Sequence, residues 1–225
     1  VRLCPMCSWR RSLKVAAQMH SIMNAIKADR KTAYILVTLT VKNCLPEELD
    51  QTITDVLTGF NRLTMYAEVG KATLGYYRAM EITHNLEEDT YHPHIHAIFA
   101  VNPSYFTGRT YLSQNRWAEL WQRAAKLDYH PQVDVRRIKG DTSSAVAEVA
   151  KYAVQSGDYI IPEDWDMTVD TVTPLDQVFH NRRFLSFRGI FQAYPNKFPL
   201  GDAAHGDPGN KEGDPPPPAT GPQDH

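Results

Sequence analysis

Residues 74–101 read LGYYRAMEITHNLEEDTYHPHIHAIFAV. Over 74–83, Leu74, Tyr76, Arg78, Met80 and Ile82 alternate with Tyr77, Ala79, Glu81 and Thr83, the two-residue period of a strand. The acidic run 85–90 breaks the alternation and reads as a hairpin loop, and 91–101 reads as the returning strand. Strands joined by so short a connection pair antiparallel, because a parallel pair needs a crossover of about a dozen residues or more.

Outward from this hairpin the pattern alternates between strand and helix. Residues 33–42 (AYILVTLTVK) form a continuous, β-branched run expected to be a buried strand. Residues 46–67 place Leu49, Ile53, Val56, Phe60, Leu63 and Ala67 at helical spacing behind Pro46. Further helices are expected over 13–27, over 115–127 with Trp117, Leu120, Trp121 and Ala124 on one face, over 143–155 ahead of Gly157, and over 175–183. Residues 132–138 alternate again as a strand. The resulting expectation is an α+β fold, a central antiparallel sheet covered on one face by helices, and not a doubly wound parallel sheet. No internal repeat is visible.

Composition bounds the partners. The chain has 225 residues, 42% of them hydrophobic, and a formal net charge of -2. That length and apolar content suit one substantial domain with small appendages. No apolar run approaches the roughly 18–20 residues of a membrane helix, and no signal-peptide pattern opens the chain. A near-neutral balance argues at first against nucleic acid, but the charge is segregated. Residues 1–31 carry seven basic residues against one acid, residues 40–100 four against nine, and residues 201–225 one against five. The expected organisation is a basic segment at 1–31, a main domain at 32–200, and a Pro/Gly/Asp-rich tail at 201–225 that should be disordered. Three cysteines are too few for a disulfide framework. Cys4 and Cys7 form a C-x-x-C that reads as half of a Zn²⁺ site, a redox pair or chance. The chain begins at Val1 without Met, so a partner pair of zinc ligands could have been cut away upstream.

The strongest chemical signal is His94 and His96 in HPHIH. In a strand, side chains at i and i+2 project from one face, so the two imidazoles can chelate one divalent ion. Glu81, across the hairpin, is the natural third ligand. A bare H-x-H is more often a surface pair; the intervening Ile95 and the carboxylate opposite favour a metal. Glu148 and Tyr152 form the second signal. They stand four residues apart on the helix expected at 143–155, outside the apolar arc of Val146, Val149, Ala150 and Ala153. Taken alone they read as an exposed Tyr with an acidic neighbour. Taken with the histidines they describe a site in which a metal polarises a phosphodiester, a tyrosine hydroxyl attacks phosphorus, and a carboxylate activates a second attacker.

The strand ILVTLTVKN, the strand YHPHIHAIF and the helix EVAKYAVQ, in that order, resemble the three motifs of rolling-circle plasmid replication initiators, within the wider class of HUH endonucleases. The lead-in RLCPMCSWRRSLK, the segment RWAELWQRAAKLDYHPQVDV and NRRFLSFRG resemble other parts of one such family, so the similarity runs from about residue 3 to 189. The resemblance implies an RRM-like sheet whose central strand presents the histidine pair. It implies nicking of one strand at a double-strand origin, with a covalent tyrosine link to the 5′ phosphate and a free 3′ end that primes the host polymerase. Carried over, His94, His96 and Glu81 hold Mn²⁺ or Mg²⁺, Tyr152 is the nucleophile, and Glu148 activates the water that terminates replication. Lys151 matches a DNA contact. Gln155 stands where a basic residue is more usual. DNA recognition is expected either from the basic N-terminal helix with Arg10 and Arg11 or from 158–200 with Arg182, Arg183 and Arg188. The implied partners are plasmid origin DNA, single-stranded or as a hairpin, and host helicase and polymerase, in a bacterial or archaeal cytoplasm. Two alternatives remain open: a transposase or relaxase of the same class, and a non-enzymatic, zinc-stabilised DNA-binding protein.

Overall fold

The structure is a computed structural model that describes residues 5–140, 143–150, 168–169, 172, 175, 178 and 182–194. Five strands form one antiparallel sheet in the order β4-β1-β3-β2-β5, where β1 is Ala33–Thr40, β2 Gly75–Asn85, β3 Thr90–Val101, β4 Val133–Ile138 and β5 Leu185–Gly189. The helices are α1 (Pro5–Asp29), α2 (Leu49–Met65), α3 (Ala67–Ala72), α4 (Gln114–Ala125) and α5 (Ser143–Ala150). The α+β expectation and the central position of the histidine strand are met.

Helices cover both faces of the sheet, not one. α2 and α4 pack on the face lined by Ile35, Val37, Leu39, Tyr76, Ile82, Ile95, Ala97 and Phe99. α1 and α5 pack on the opposite face, against Tyr34, Leu36, Tyr77, Ala79, Ile98 and Ala100. The physical reason is legible in β1 and β3: apolar residues at both odd and even positions bury both sides of the strand, as in sheets sandwiched between helices. α1 starts eight residues before the expected 13, and its buried residues Val15, Met19, Ile22, Met23 and Ile26 place the docked part in its C-terminal portion. Tyr34 secures that half by donating its hydroxyl to the Met23 carbonyl at 3.1 Å.

On the other face, α2 buries Leu49, Ile53, Val56, Phe60 and Leu63. It approaches α4 so closely that a Cβ on Gly59 would stand 2.9 Å from the Ala125 Cα. α4 is capped by the Ser113 hydroxyl, which accepts the Arg116 N–H at 3.2 Å. It is closed by Lys126 in the left-handed region at φ 58. Trp121 ties α4 to β1 by donating Nε1–H to the Thr40 carbonyl at 2.8 Å.

Two further elements differ from the sequence reading. β5 is an edge strand that the mixed run LSFRG does not advertise. It pairs with β2 through Gly75 opposite Gly189, where a Cβ on Gly189, at φ 64, would meet the Leu74 carbonyl oxygen at 2.4 Å. The helix expected at 175–183 does not reach Arg182 and Arg183. Thr168, Val169, Val172, Leu175 and Val178 are helical, whereas Arg182 and Arg183 lie outside any helix, just before β5. The tail at 201–225 lies outside the described residues.

Candidate metal centre

The 86–89 loop between β2 and β3 fixes the register. Asn85 accepts the N–H groups of Glu87 and Glu88 at 3.1 and 3.4 Å, and Asn85 pairs with Thr90. From there the ladder places Glu81 directly opposite His94 and Ala79 opposite His96. A slip of one residue would turn Glu81 to the other face. Pro93, in a central strand, costs no ladder bond. Tyr91 exchanges both backbone bonds with Cys44, and the β1 ladder begins only at Thr40 opposite His94, so the missing N–H falls in the gap between them.

His94 and His96 turn their Nε2 atoms to the same carboxylate oxygen. Glu81 Oε2 lies 2.8 Å from His96 Nε2 and 3.2 Å from His94 Nε2. The side chains of Glu81, His96 and His94 are 5%, 7% and 11% exposed, so all three are withdrawn from water. The rings meet edge to face, with centroids 4.8 Å apart and an interplanar angle of 85°. One ligand atom from each residue falls within 4.8 Å of the others.

This donor set fits a divalent cation. Two imidazole nitrogens and a carboxylate oxygen form a common three-ligand set for first-row metals, and cis ligands of an octahedral ion at about 2.1 Å stand roughly 3 Å apart. Both Nδ1 atoms face outward onto partners that orient the rings: His94 Nδ1 lies 3.0 Å from the His92 carbonyl, and His96 Nδ1 lies 3.1 Å from Thr38 Oγ1.

Two residues of this site escaped the sequence reading. Thr38 projects onto the ligand face from β1, opposite His96. His92 extends the histidine row, its ring 5.3 Å from that of His94. Burial, with His94 as neighbour, holds the His92 imidazole below its ordinary range. Period-two counting along TLT and HPHIH would have found both.

The fold brings Glu81, His94 and His96 together. Glu148 lies on α5, its side chain outside the described residues; α5 packs against β2 and β3 on the ligand face. Val146, Val149 and Ala150 are its buried side, as expected. Tyr152, Lys151, Gln155 and Cys4 lie outside the described residues. Cys7, Arg10 and Arg11 lie on the first turns of α1, with Cys7 and Arg10 exposed. Arg182 is directed to α2, where it pairs with Asp50 at 2.8 Å and donates to Thr54 Oγ1 at 2.9 Å. Arg183 offers its carbonyl to the buried Arg78 guanidinium at 3.5 Å, and Arg188 is exposed on β5. Burial pushes Arg78 down to about 10. No described helix is long and apolar enough to cross a membrane.

Fold and cluster together define an α+β protein with a two-histidine, one-carboxylate site on the central strands of an antiparallel sheet. A family described as "Replication protein" matches residues 1–217. Among similar proteins, "Protein rep" of a Bacillus species is 40% identical over 228 residues, covering 92% of this chain and 73% of that protein. "Protein rep" of Streptococcus pneumoniae is 38% identical over 213 residues, covering 92% of this chain and 65% of that protein. "Replication protein" of Staphylococcus aureus is 33% identical over 194 residues, covering 83% of this chain and 82% of that protein. No solved structure matches the chain. The chain belongs to this family of replication proteins, in keeping with the resemblance of its motifs to replication initiators.

Proposed function

We propose that the protein initiates rolling-circle replication of a plasmid by nicking one strand of the origin and becoming covalently joined to its 5′ phosphate. The observation that carries this reading is the buried Glu81–His94–His96 cluster on the sheet face against which α5 packs, in a chain of the replication-protein family. The three residues would hold Mn²⁺ or Mg²⁺, and a cation bound there would draw charge from a phosphate oxygen of the scissile bond.

The remaining chemistry belongs to α5 and the residues that follow it in the sequence. Tyr152 follows Ala150, the last described residue of α5, by two positions in the sequence. Its hydroxyl oxygen bonds to phosphorus as the bond to the 3′ oxygen breaks. The tyrosine proton is lost, the 3′ oxygen gains one, and a 3′-hydroxyl is released for the host polymerase to extend. Tyrosine has an ordinary pKa near 10, so proton removal must be assisted at neutral pH. Glu148, four residues before Tyr152 in the sequence, takes a proton from the water that later resolves the phosphotyrosine bond. Lys151 and the basic first turns of α1 contact the DNA backbone. The setting is the cytoplasm of a bacterium or archaeon, with a host helicase opening the duplex.

The test is conversion of supercoiled cognate plasmid to the relaxed form. The reading expects relaxation with Mn²⁺ or Mg²⁺, none with EDTA, and none with Tyr152→Phe, which should still bind origin DNA. Relaxation by Tyr152→Phe at the wild-type rate would rule out the tyrosine mechanism. Binding without cleavage by the wild-type chain, indifferent to Glu81→Ala, would favour a DNA-binding protein instead.

A further inference from the structure

Two threonines of β1, Thr38 and Thr40, project onto the ligand face opposite His96 and His94. They are spent differently. Thr40 Oγ1 donates to the Gln132 carbonyl at 2.8 Å, away from the cluster. Thr38 Oγ1 stands 3.1 Å from His96 Nδ1. The two histidines therefore have unlike partners behind them. His94 Nδ1 faces the His92 carbonyl at 3.0 Å, and a carbonyl can only accept, so that nitrogen carries the proton and Nε2 presents its lone pair. His96 Nδ1 faces a hydroxyl, which can donate or accept. Its Nε2 lies 2.8 Å from the Glu81 carboxylate, which favours a proton on Nε2 when no cation is bound. A cation ligated by Nε2 requires the other tautomer.

We propose that Thr38 is the positioning residue that allows His96 to act as a metal ligand. By turning its O–H bond, the hydroxyl accepts Nδ1–H in the bound state, where the imidazole presents its Nε2 lone pair to the cation. In the free state the same hydroxyl donates to Nδ1. The bound-state hydrogen bond is the stronger of the two, because ligation leaves positive charge on the Nδ1–H donor. Removing the hydroxyl therefore weakens the bound state more than the free one. The inference rests on the reading of the cluster as a cation site.

The experiment is Mn²⁺ titration of the full chain, with free Mn²⁺ read by electron paramagnetic resonance. Thr38→Val, which keeps the shape and the β-branch, should weaken binding by about 10–100-fold, the scale on which outer partners of metal-bound histidines act. Thr38→Ser restores the hydroxyl and should bind within about threefold of wild type. Thr40→Val removes the neighbouring hydroxyl and should leave the affinity unchanged. Melting of the metal-free proteins checks that each variant is folded. Equal affinity of wild type and Thr38→Val would overturn the role of Thr38, as would equal losses in Thr38→Val and Thr40→Val. Failure of the cation-site reading looks different: wild type would not bind Mn²⁺, or Glu81→Ala and His94→Ala would bind it as tightly as wild type.

Discussion

Glu81→Gln keeps the size of the side chain and removes its charge. In the metal-free protein the carboxylate oxygen lies 2.8 and 3.2 Å from two imidazole nitrogens, in a side chain 5% exposed. The charge-assisted bond from His96 Nε2–H contributes about 1.5–3 kcal/mol, and loss of the charge also relieves a desolvation penalty of several kcal/mol. These opposing terms should leave metal-free stability within about 2 kcal/mol of wild type. The response to metal separates the two proteins far more clearly. A ligand at roughly 100 times its Kd stabilises the folded state by about 2.7 kcal/mol. For a chain of this size each kcal/mol moves Tm by about 2–4 °C, so saturating Mn²⁺ should raise wild-type Tm by about 5–11 °C. Glutamine supplies an oxygen without the one negative charge of the ligand set. The gain at the same Mn²⁺ concentration should then fall below about 1 kcal/mol, a shift under about 4 °C. Circular-dichroism melts in EDTA and in Mn²⁺ measure both quantities. A full wild-type shift in Glu81→Gln would refute the assignment of Glu81 as a ligand.

Other perturbations test the frame around the site. Gly59→Val would force a side chain into the α2–α4 contact, where a Cβ already meets Ala125 at 2.9 Å, and should cost about 1–3 kcal/mol in urea unfolding. Trp121→Phe removes the 2.8 Å bond to the Thr40 carbonyl and leaves a gap in the core; a loss of about 2–3 kcal/mol is expected, with Mn²⁺ affinity retained by the folded fraction. His92, held below its ordinary range by burial, takes up its proton more readily in the unfolded chain. Stability in EDTA should therefore fall as the pH drops through about 6.5, and His92→Gln should flatten that part of the profile. An unchanged slope in His92→Gln would show that other groups carry it.

The hairpin and the clustering of Glu81, His94 and His96 were readable because both depend on local spacing. Period two in β2 and β3 puts His94 and His96 on one face, and a short loop forces the antiparallel pairing that brings Glu81 opposite. The amphipathic helices α2 and α4 were readable from a single apolar stripe each. What escaped depends on contacts distant in sequence. β5 has no clear alternation and exists because two glycines allow it to close on β2. The burial of β1 and β3 on both sides was written in their unbroken apolar runs, yet those runs do not say which helix covers which face. Thr38 looked like an ordinary strand residue until the β1–β3 register set it opposite His96, 58 positions away. Arg182, an expected DNA contact, pairs with Asp50 on α2, a partner 132 positions away that local spacing does not reveal.

The decisive measurement is the site of covalent attachment. The full chain is incubated with single-stranded origin oligonucleotides and Mn²⁺, and the gel-stable adduct is digested and sequenced by mass spectrometry. The expected result is a nucleotide mass on Tyr152 alone, absent in EDTA and strongly reduced in Glu81→Gln. An adduct on any other residue, or strand cleavage with no adduct at all, would contradict the proposed mechanism.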